Sequence, residues 1–328
     1  MNISTVKKLR CPKTGSTLRI EDEQQIDDAN VTSGFLIDNS GENRYPIINS
    51  IPRFVPESNY ADNFGMQWNR FSKTQLDSNS GHPISSDRFW KATGWTEESL
   101  KDKWVLDVGC GSGRFAEIAL KAGAYVVALD YSSAVDACWD NLKDHSRLTV
   151  VQGDIYCLPF EASYFDFVYS LGVLQHTPDV EAAFKSLPRV LKKNGNLCVD
   201  YYWRRFRTLM NIKYVLLPFT RKMDQERLFT LLERSIPSLL LVSNIFRKIP
   251  VIGKVLQRLI PVANYNGIYP LNQTQMREWA LLDTFDMLGP SYDTPQTEGT
   301  ITKWMEEEGF ENIESLHATL LVVRGLKK

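Results

Sequence analysis

The chain has 328 residues, 43% hydrophobic and 23% charged, with a formal charge of −1 at pH 7. Such a length and balance provide for one large core with additions. Near-neutrality excludes a global field toward nucleic acid or an anionic membrane, so any such attraction has to be local.

The cysteines, Cys11, Cys110, Cys138, Cys157 and Cys198, are odd in number and widely spaced. They spell no disulfide framework and no close-set metal motif, which fits a reducing compartment. No apolar run near the start reads as a signal peptide. No unbroken apolar stretch approaches the roughly 20 residues of a membrane span. A cytoplasmic protein is expected.

Residues 1–56 read as a small β-rich module. Its short apolar runs are broken at Thr14-Gly15, Asn39-Ser40-Gly41, Tyr45-Pro46 and Ile51-Pro52. Residues 57–103 are polar and aromatic, with short helices expected around Asp62–Phe71 and Thr96–Lys101. From Trp104 to residue 203 strands and helices alternate. Strands are expected at Val105–Val108, Tyr125–Leu129, Leu148–Val151, Phe167–Leu171 and Leu197–Tyr202, the last following an Asn194-Gly195 turn. Phe115, Ile118, Ala119 and Ala122 recur at helical spacing after the first strand. Ser132 or Ser133 can cap the next helix and Asp179 a third, which Pro188 is expected to kink. This repetition argues for a parallel sheet with helices on both faces. Residues 204–296 interrupt the rhythm. Residues 297–328 resume it with a helix at Ile301–Glu308, stopped by Gly309, and strands at Ile313–Leu316 and Thr319–Arg324.

The central motif is Asp107-Val108-Gly109-Cys110-Gly111-Ser112-Gly113-Arg114. Glycines after a strand let the backbone turn tightly and approach a ligand at the carboxyl edge of an open sheet. Arg114 stands where the dinucleotide fingerprint requires glycine, and no Lys-Ser or Lys-Thr follows, so neither that fingerprint nor a P-loop is present. Asp130 ends the second strand, where a carboxylate can accept bonds from both hydroxyls of a ribose. Gly153-Asp154-Ile155 follows the third strand, and Tyr164-Phe165-Asp166-Phe167 opens the fourth.

In this order the motifs resemble those of class I S-adenosylmethionine-dependent methyltransferases, most closely from 104 to 202. The resemblance implies a doubly wound, mostly parallel seven-stranded α/β sheet of Rossmann type. It implies S-adenosyl-L-methionine as cofactor, with S-adenosylhomocysteine as product. The cofactor site would comprise Asp107, Gly109, Gly111 and Gly113 for the methionine part, Asp130 and Tyr131 for the ribose, and Asp154 and Ile155 for the adenine. The backbone around Ser170 and Leu171 would face the amino group. Leu9-Arg10-Cys11-Pro12 and Arg44–Pro52 resemble a zinc-ribbon-like module that accompanies such enzymes. Cys11 has no second cysteine at Thr14 and no distal pair, so a metal-free relic is expected.

Candidate bases for a hydroxyl acceptor are His176 and Tyr201 or Tyr202, with a turn or packing role the competing reading. Gln67, Trp68 and Arg70 are lid candidates, against an aromatic helix glued to the sheet edge. Asp283–Tyr292 reads as a loop whose Asp286 and Tyr292 line an acceptor pocket, or simply connect. Between Arg204 and Arg258 lie twelve Lys or Arg against Asp224, Glu226 and Glu233, interleaved with apolar clusters. That pattern fits a helical cap over the pocket, peripheral contact of 204–260 with a membrane or lipid-linked substrate, or RNA. The expected acceptor is a small or lipid-linked molecule, such as a glycan or secondary metabolite. The alternatives are an RNA methyltransferase and a non-catalytic scaffold.

Overall fold

A computed structural model describes every residue except 1–2, 28–29, 57–58, 206–210, 251 and 318–319. Arg207 and Thr319, which entered the charge count and the last expected strand, lie outside the described residues.

The N-terminal module is a four-stranded antiparallel sheet in the order β1 (Leu18–Asp27), β2 (Asn30–Asp38), β3 (Arg44–Ile48), β4 (Ile51–Pro52). Two expected breaks fall elsewhere: Pro46 and Pro52 lie within strands, and the turn is Asn49-Ser50, both with positive φ (52° and 65°). That conformation matches the twist of a two-residue hairpin. Pro46 is tolerated because its carbonyl, and hence its missing N–H, faces the side where β4 is only two residues long; Arg53 N donates to that carbonyl. Asn39-Ser40-Gly41 does form a turn. Asp38 there accepts from Asn43 and Ser40, and these bonds hold its carboxyl down to about 2.

Ahead of the main sheet lie α1 (Ile3–Val6), α2 (Asp62–Arg70), α3 (Asp77–Ser80), α4 (Ile84–Thr93) and α5 (Glu97–Leu100). The main sheet then comprises β5 (Trp104–Val108), β6 (Tyr125–Asp130), β7 (Leu148–Gln152), β8 (Phe165–Ser170), β9 (Leu191–Tyr201), β10 (Phe310–His317) and β11 (Leu321–Lys327). Its seven strands run β10-β11-β9-β8-β5-β6-β7. The neighbours β5 to β9 pair in parallel, and β11 pairs antiparallel with both β9 and β10. This is the Rossmann-like topology of the class I methyltransferase fold.

Successive residues of a strand face opposite layers. Val126 and Ala128 join a cluster with Phe89 and Phe115, while Val127 and Leu129 join one with Phe184 and Trp304. Burial on both faces makes these strands near-continuous apolar runs. Helices α6 (Arg114–Lys121), α7 (Ala134–Leu142), α8 (Val180–Val190) and α13 (Glu298–Glu307) supply the covering layers. The N-terminal module shares one of these cores through Leu9, ahead of its sheet, and through Leu36 and Ile47 within it. Arg53 ties it to β7 and α7, at 2.9 Å from Gln152 and 2.6 Å from Asp136.

Two local expectations shift. Pro188 sits in the last turn of α8, where the helix ends anyway, and Lys327 Nζ donates to its carbonyl. Asn194-Gly195 lies inside β9 as an irregularity, Asn194 having φ 62°, because Leu191 already pairs with Phe165.

The insertion folds into α9 (Lys213–Thr220), α10 (Gln225–Arg247), α11 (Gly253–Gln257) and α12 (Gln273–Leu288). It has its own core, in which Leu228, Phe229 and Leu232 of α10 meet Leu281, Phe285 and Leu288 of α12. The segment 283–288, expected as loop, is helix. Its acids are outweighed by Leu281, Phe285 and Leu288 at helical spacing and by an Asn272–Gln275 capping box at the start. Helix α10 is long and apolar enough by length and composition to cross a membrane, with a third of that window buried.

Candidate functional site

In chain order the sheet grows outward from β5 to β7 and then resumes on the other side of β5 at β8. Such a switch point opens a crevice at the strands' carboxyl ends. A cleft of about 1040 Å³, including its open mouth, lies there.

The glycine loop forms its floor. Gly109 N and Cys110 N both donate to the Leu129 carbonyl, at 2.7 and 3.0 Å. Gly111 N donates to Asp130 Oδ2 at 3.0 Å. A Cβ at Gly109 would stand 2.3 Å from Val173, and one at Gly111 3.0 Å from the Trp68 indole; both residues have positive φ. Backbone conformation and space therefore both require glycine at these two positions. Gly113 lies just beyond the cleft lining as the N-cap of α6.

Asp130 lines the cleft, its Oδ1 accepting from Ser132 N (2.9 Å) and Ser132 Oγ (2.7 Å). Burial raises its carboxyl above the ordinary value, against these bonds and the one from Gly111. Tyr131 and Ile155 line the cleft beside it. Asp154 stands at the next strand end and caps the turn Ile155–Cys157, accepting from Tyr156 N at 2.9 Å. The Tyr60 ring stacks on Tyr131 at 4.9 Å. Burial first, and then the nearby Tyr156, Asp154, Tyr131 and Asp130, push its hydroxyl up. Asp107 is buried behind the loop rather than in the cleft lining. Burial lifts its carboxyl to about 8, with the Tyr169 hydroxyl beside it. Ser170 is also buried behind the loop, donating to the Val108 carbonyl at 2.9 Å, whereas Leu171 lines the cleft.

Among the lid candidates, Trp68 lines the cleft over Gly111. Gln67 is fully buried against the Leu282 carbonyl. Arg70 faces outward, over the Phe229 ring and 3.5 Å from Glu226.

The rest of the cleft is built by residues distant in sequence. His176 lines it, 5% exposed, with Nδ1 at 2.9 Å from the Tyr292 carbonyl. Since a carbonyl only accepts, Nδ1 carries the proton, and in the neutral ring Nε2 keeps its lone pair. Nε2 is buried without a hydrogen-bond partner among the described residues. Tyr292 contributes that carbonyl and a ring edge to Tyr60, but its side chain is outside the cleft lining. Tyr201 is fully buried in the core. Tyr202 bonds Asp286, which lines the cleft, at 3.2 Å.

Reading the sequence missed Gln75, Arg88 and Arg114 as site residues, and named Asp283 only as the start of its segment. Arg88 pairs with Asp200 at 2.8 Å, and Asp200 also accepts from Gly172 N. Arg114 bonds Gln75 and lies 4.2 Å from the Phe115 ring centroid; burial, and then Arg88, bring it down to about 10. Asp283 accepts from Tyr265 and from Gln75 (3.0 Å), and burial lifts it to about 6. Arg114, directly after the glycine loop, was the one with a local signal. The cleft thus combines aromatic rings and an accepting carboxylate with two cations, further acids and an imidazole. Among the described residues, no cluster of three or more His, Cys, Asp or Glu could hold a metal. Cys11 lies buried, with Sγ 3.3 Å from the Tyr45 hydroxyl.

Residues 106–199 match the protein family described as a methyltransferase domain. The ubiquinone biosynthesis O-methyltransferase of Coxiella burnetii is 33% identical over 123 residues, 36% of this chain and 53% of that protein. A sterol 24-C-methyltransferase of Pneumocystis carinii is 36% identical over 104 residues, 30% of this chain and 27% of that protein. The chain thus spans about half the length, or less, of these curated relatives. Among solved structures, magnesium protoporphyrin IX methyltransferase from Synechocystis, with S-adenosylhomocysteine bound, has a TM-score of 0.45. It is 14% identical, over 82% of this chain and 97% of that one.

Proposed function

We propose that the protein is an S-adenosylmethionine-dependent methyltransferase acting on a small or lipid-linked acceptor. The observation that carries this reading is the cradle at Gly109 to Gly111, which a side chain would fill, fastened to Asp130 at the cleft edge. S-adenosylmethionine supplies a methyl group on a cationic sulfonium, which needs no diphosphate cradle. The residues fit it. Asp130 accepts from ribose hydroxyls, and Tyr131 and Ile155 offer apolar surface to the adenine, with Asp154 at its amino edge. Arg88 and Arg114 supply partly buried cations suited to the carboxylate of its methionine part.

In-line transfer draws much of its rate from holding the acceptor against the methyl. Asp283 and Asp286, which line the cleft, do that work as acceptors for hydroxyl or amino groups. For a hydroxyl acceptor, His176 Nε2 would take the hydroxyl proton as the bound cofactor supplied the methyl group and left as its neutral thioether. The aromatic cover of Phe64 and Trp68 keeps water from the reacting end.

The family match over 106–199 and the partial likeness to an O- and a C-methyltransferase support the reaction class. The apolar insertion beside the cleft favours a small or lipid-linked acceptor over RNA, since its exposed large side chains are mostly aliphatic rather than base-stacking aromatics. Titration calorimetry of the purified chain tests the first step. The expected result is one site for S-adenosylmethionine and one for S-adenosylhomocysteine, mutually exclusive; no heat from folded protein defeats the proposal.

A further inference from the structure

Among the described residues, ten of the twelve exposed large apolar side chains lie between Val215 and Ile268, in the insertion. They are ordered. Along α10, Arg227, Leu231, Arg234, Leu241, Ile245 and Lys248 are all exposed. Their spacing of three, four or seven residues sets them in one stripe on a helix. The stripe lies opposite the face that buries Phe229, Leu232, Ile236 and Leu240. Helix α11 repeats the device with Ile252, Val255 and Leu259, each more than half exposed, and α9 with Val215 and Phe219. These helices are neighbours: Gln257 Nε2 donates to the Ser243 carbonyl and Ile212 N to the Arg258 carbonyl. Among the described side chains between 221 and 258, seven exposed Lys or Arg face three exposed acids, and one of those acids, Glu226, is paired with Arg70.

We propose that this face docks, lying flat, on an anionic lipid bilayer. An apolar stripe flanked by cations is the composition of an interfacial helix, the side chains entering the acyl boundary and the cations meeting headgroup phosphates. Three observations select that occupant. Crossing the bilayer would strip α10 from the Leu281 and Phe285 core and would place Glu233, Arg234 and Pro237 at mid-membrane. A second copy of the chain is disfavoured by charge. Parallel pairing sets each cation of the stripe against itself, and antiparallel pairing brings Arg227 against Lys248. The net positive charge calls for negative charge opposite. Helix α12, on which α10 rests, also supplies Leu282, Asp283 and Asp286 to the cleft, so docking holds the cleft one helix away from the lipid. The docking itself needs no methyl transfer and stands or falls separately from that reading.

The test is co-sedimentation of the full chain, without cofactor, with large vesicles of phosphatidylcholine containing about one third phosphatidylglycerol. The chain is expected to pellet with these, not with pure phosphatidylcholine, and to come off as salt rises. Each cation near such a surface contributes about fivefold, so R234E/K248E is expected to bind at least about 25-fold more weakly. L241S/I245S removes apolar contacts and is expected to lose about tenfold. Circular dichroism and S-adenosylmethionine affinity of both variants should match the parent, which keeps misfolding from imitating the result. No binding to the anionic vesicles, equal binding to neutral ones, or unchanged binding by both variants overturns the proposal. So does light scattering that shows a dimer which L241S/I245S converts to monomer.

Discussion

Replacing Asp130 with Asn separates the site's charge from its shape. In the folded chain the carboxylate takes three donors: Gly111 N at 3.0 Å, Ser132 N at 2.9 Å and Ser132 Oγ at 2.7 Å. Asparagine keeps one accepting oxygen in the same volume. The loop therefore loses the charge-assisted part of these bonds and keeps its packing. Burial already raises the carboxyl, so removing the charge also relieves desolvation, and the net stability change is expected within about 1–2 kcal/mol. Cofactor binding has no such relief. Two ribose bonds to a charged acceptor are each worth about 1.5–3 kcal/mol. Their loss weakens S-adenosylmethionine by roughly 10²- to 10⁴-fold. Calorimetric titration gives the affinity and urea unfolding the stability. Affinity within threefold of the parent, at unchanged stability, refutes the ribose assignment.

His176→Asn is expected to lower the turnover of a hydroxyl acceptor by about 10²- to 10⁴-fold while leaving cofactor affinity intact; equal losses in both would mean a positioning role instead. Trp68→Phe should abolish any change in tryptophan fluorescence on adding S-adenosylhomocysteine, because Trp68 covers Gly111; a signal that survives points to another tryptophan. Asp107 predicts a pH dependence. Its folded carboxyl lies near 8 against an ordinary 3.8, so the folded state holds the proton more tightly than the unfolded one. Its contribution to stability is full below pH about 4 and is lost as pH rises to about 8. Urea unfolding of Asp107→Asn at several pH values should show a decline flatter by at least about 1 kcal/mol over that range. Identical slopes would contradict it.

The strand ends and the glycine loop were legible because their signals are local. Each expected core strand overlaps an observed one, and Asp130, Tyr131 and Ile155 line one cleft because successive parallel strands end on the same edge. The polar part of the lining was not legible. Arg88 meets Asp200 across 112 residues and Gln75 meets Asp283 across 208, pairings made only by packing. The acids at 283 and 286 hid the last turn of α12, although the capping box and the spacing of Leu281, Phe285 and Leu288 carried a helix through them. Prolines misled in the opposite direction. Pro46 and Pro52 suggest breaks, but a strand tolerates proline where no acceptor needs the missing N–H, as beside the two-residue β4. Asp107 and Ser170 belong to the motif's sequence while standing behind the loop, where they support it.

The most direct measurement is a crystal structure of the chain with S-adenosylhomocysteine. The account predicts the ribose on Asp130, the adenine beside Ile155 and Asp154, and the amino acid part over Gly109 to Gly111. A ligand bound elsewhere, or a nucleoside turned away from Asp130, contradicts it.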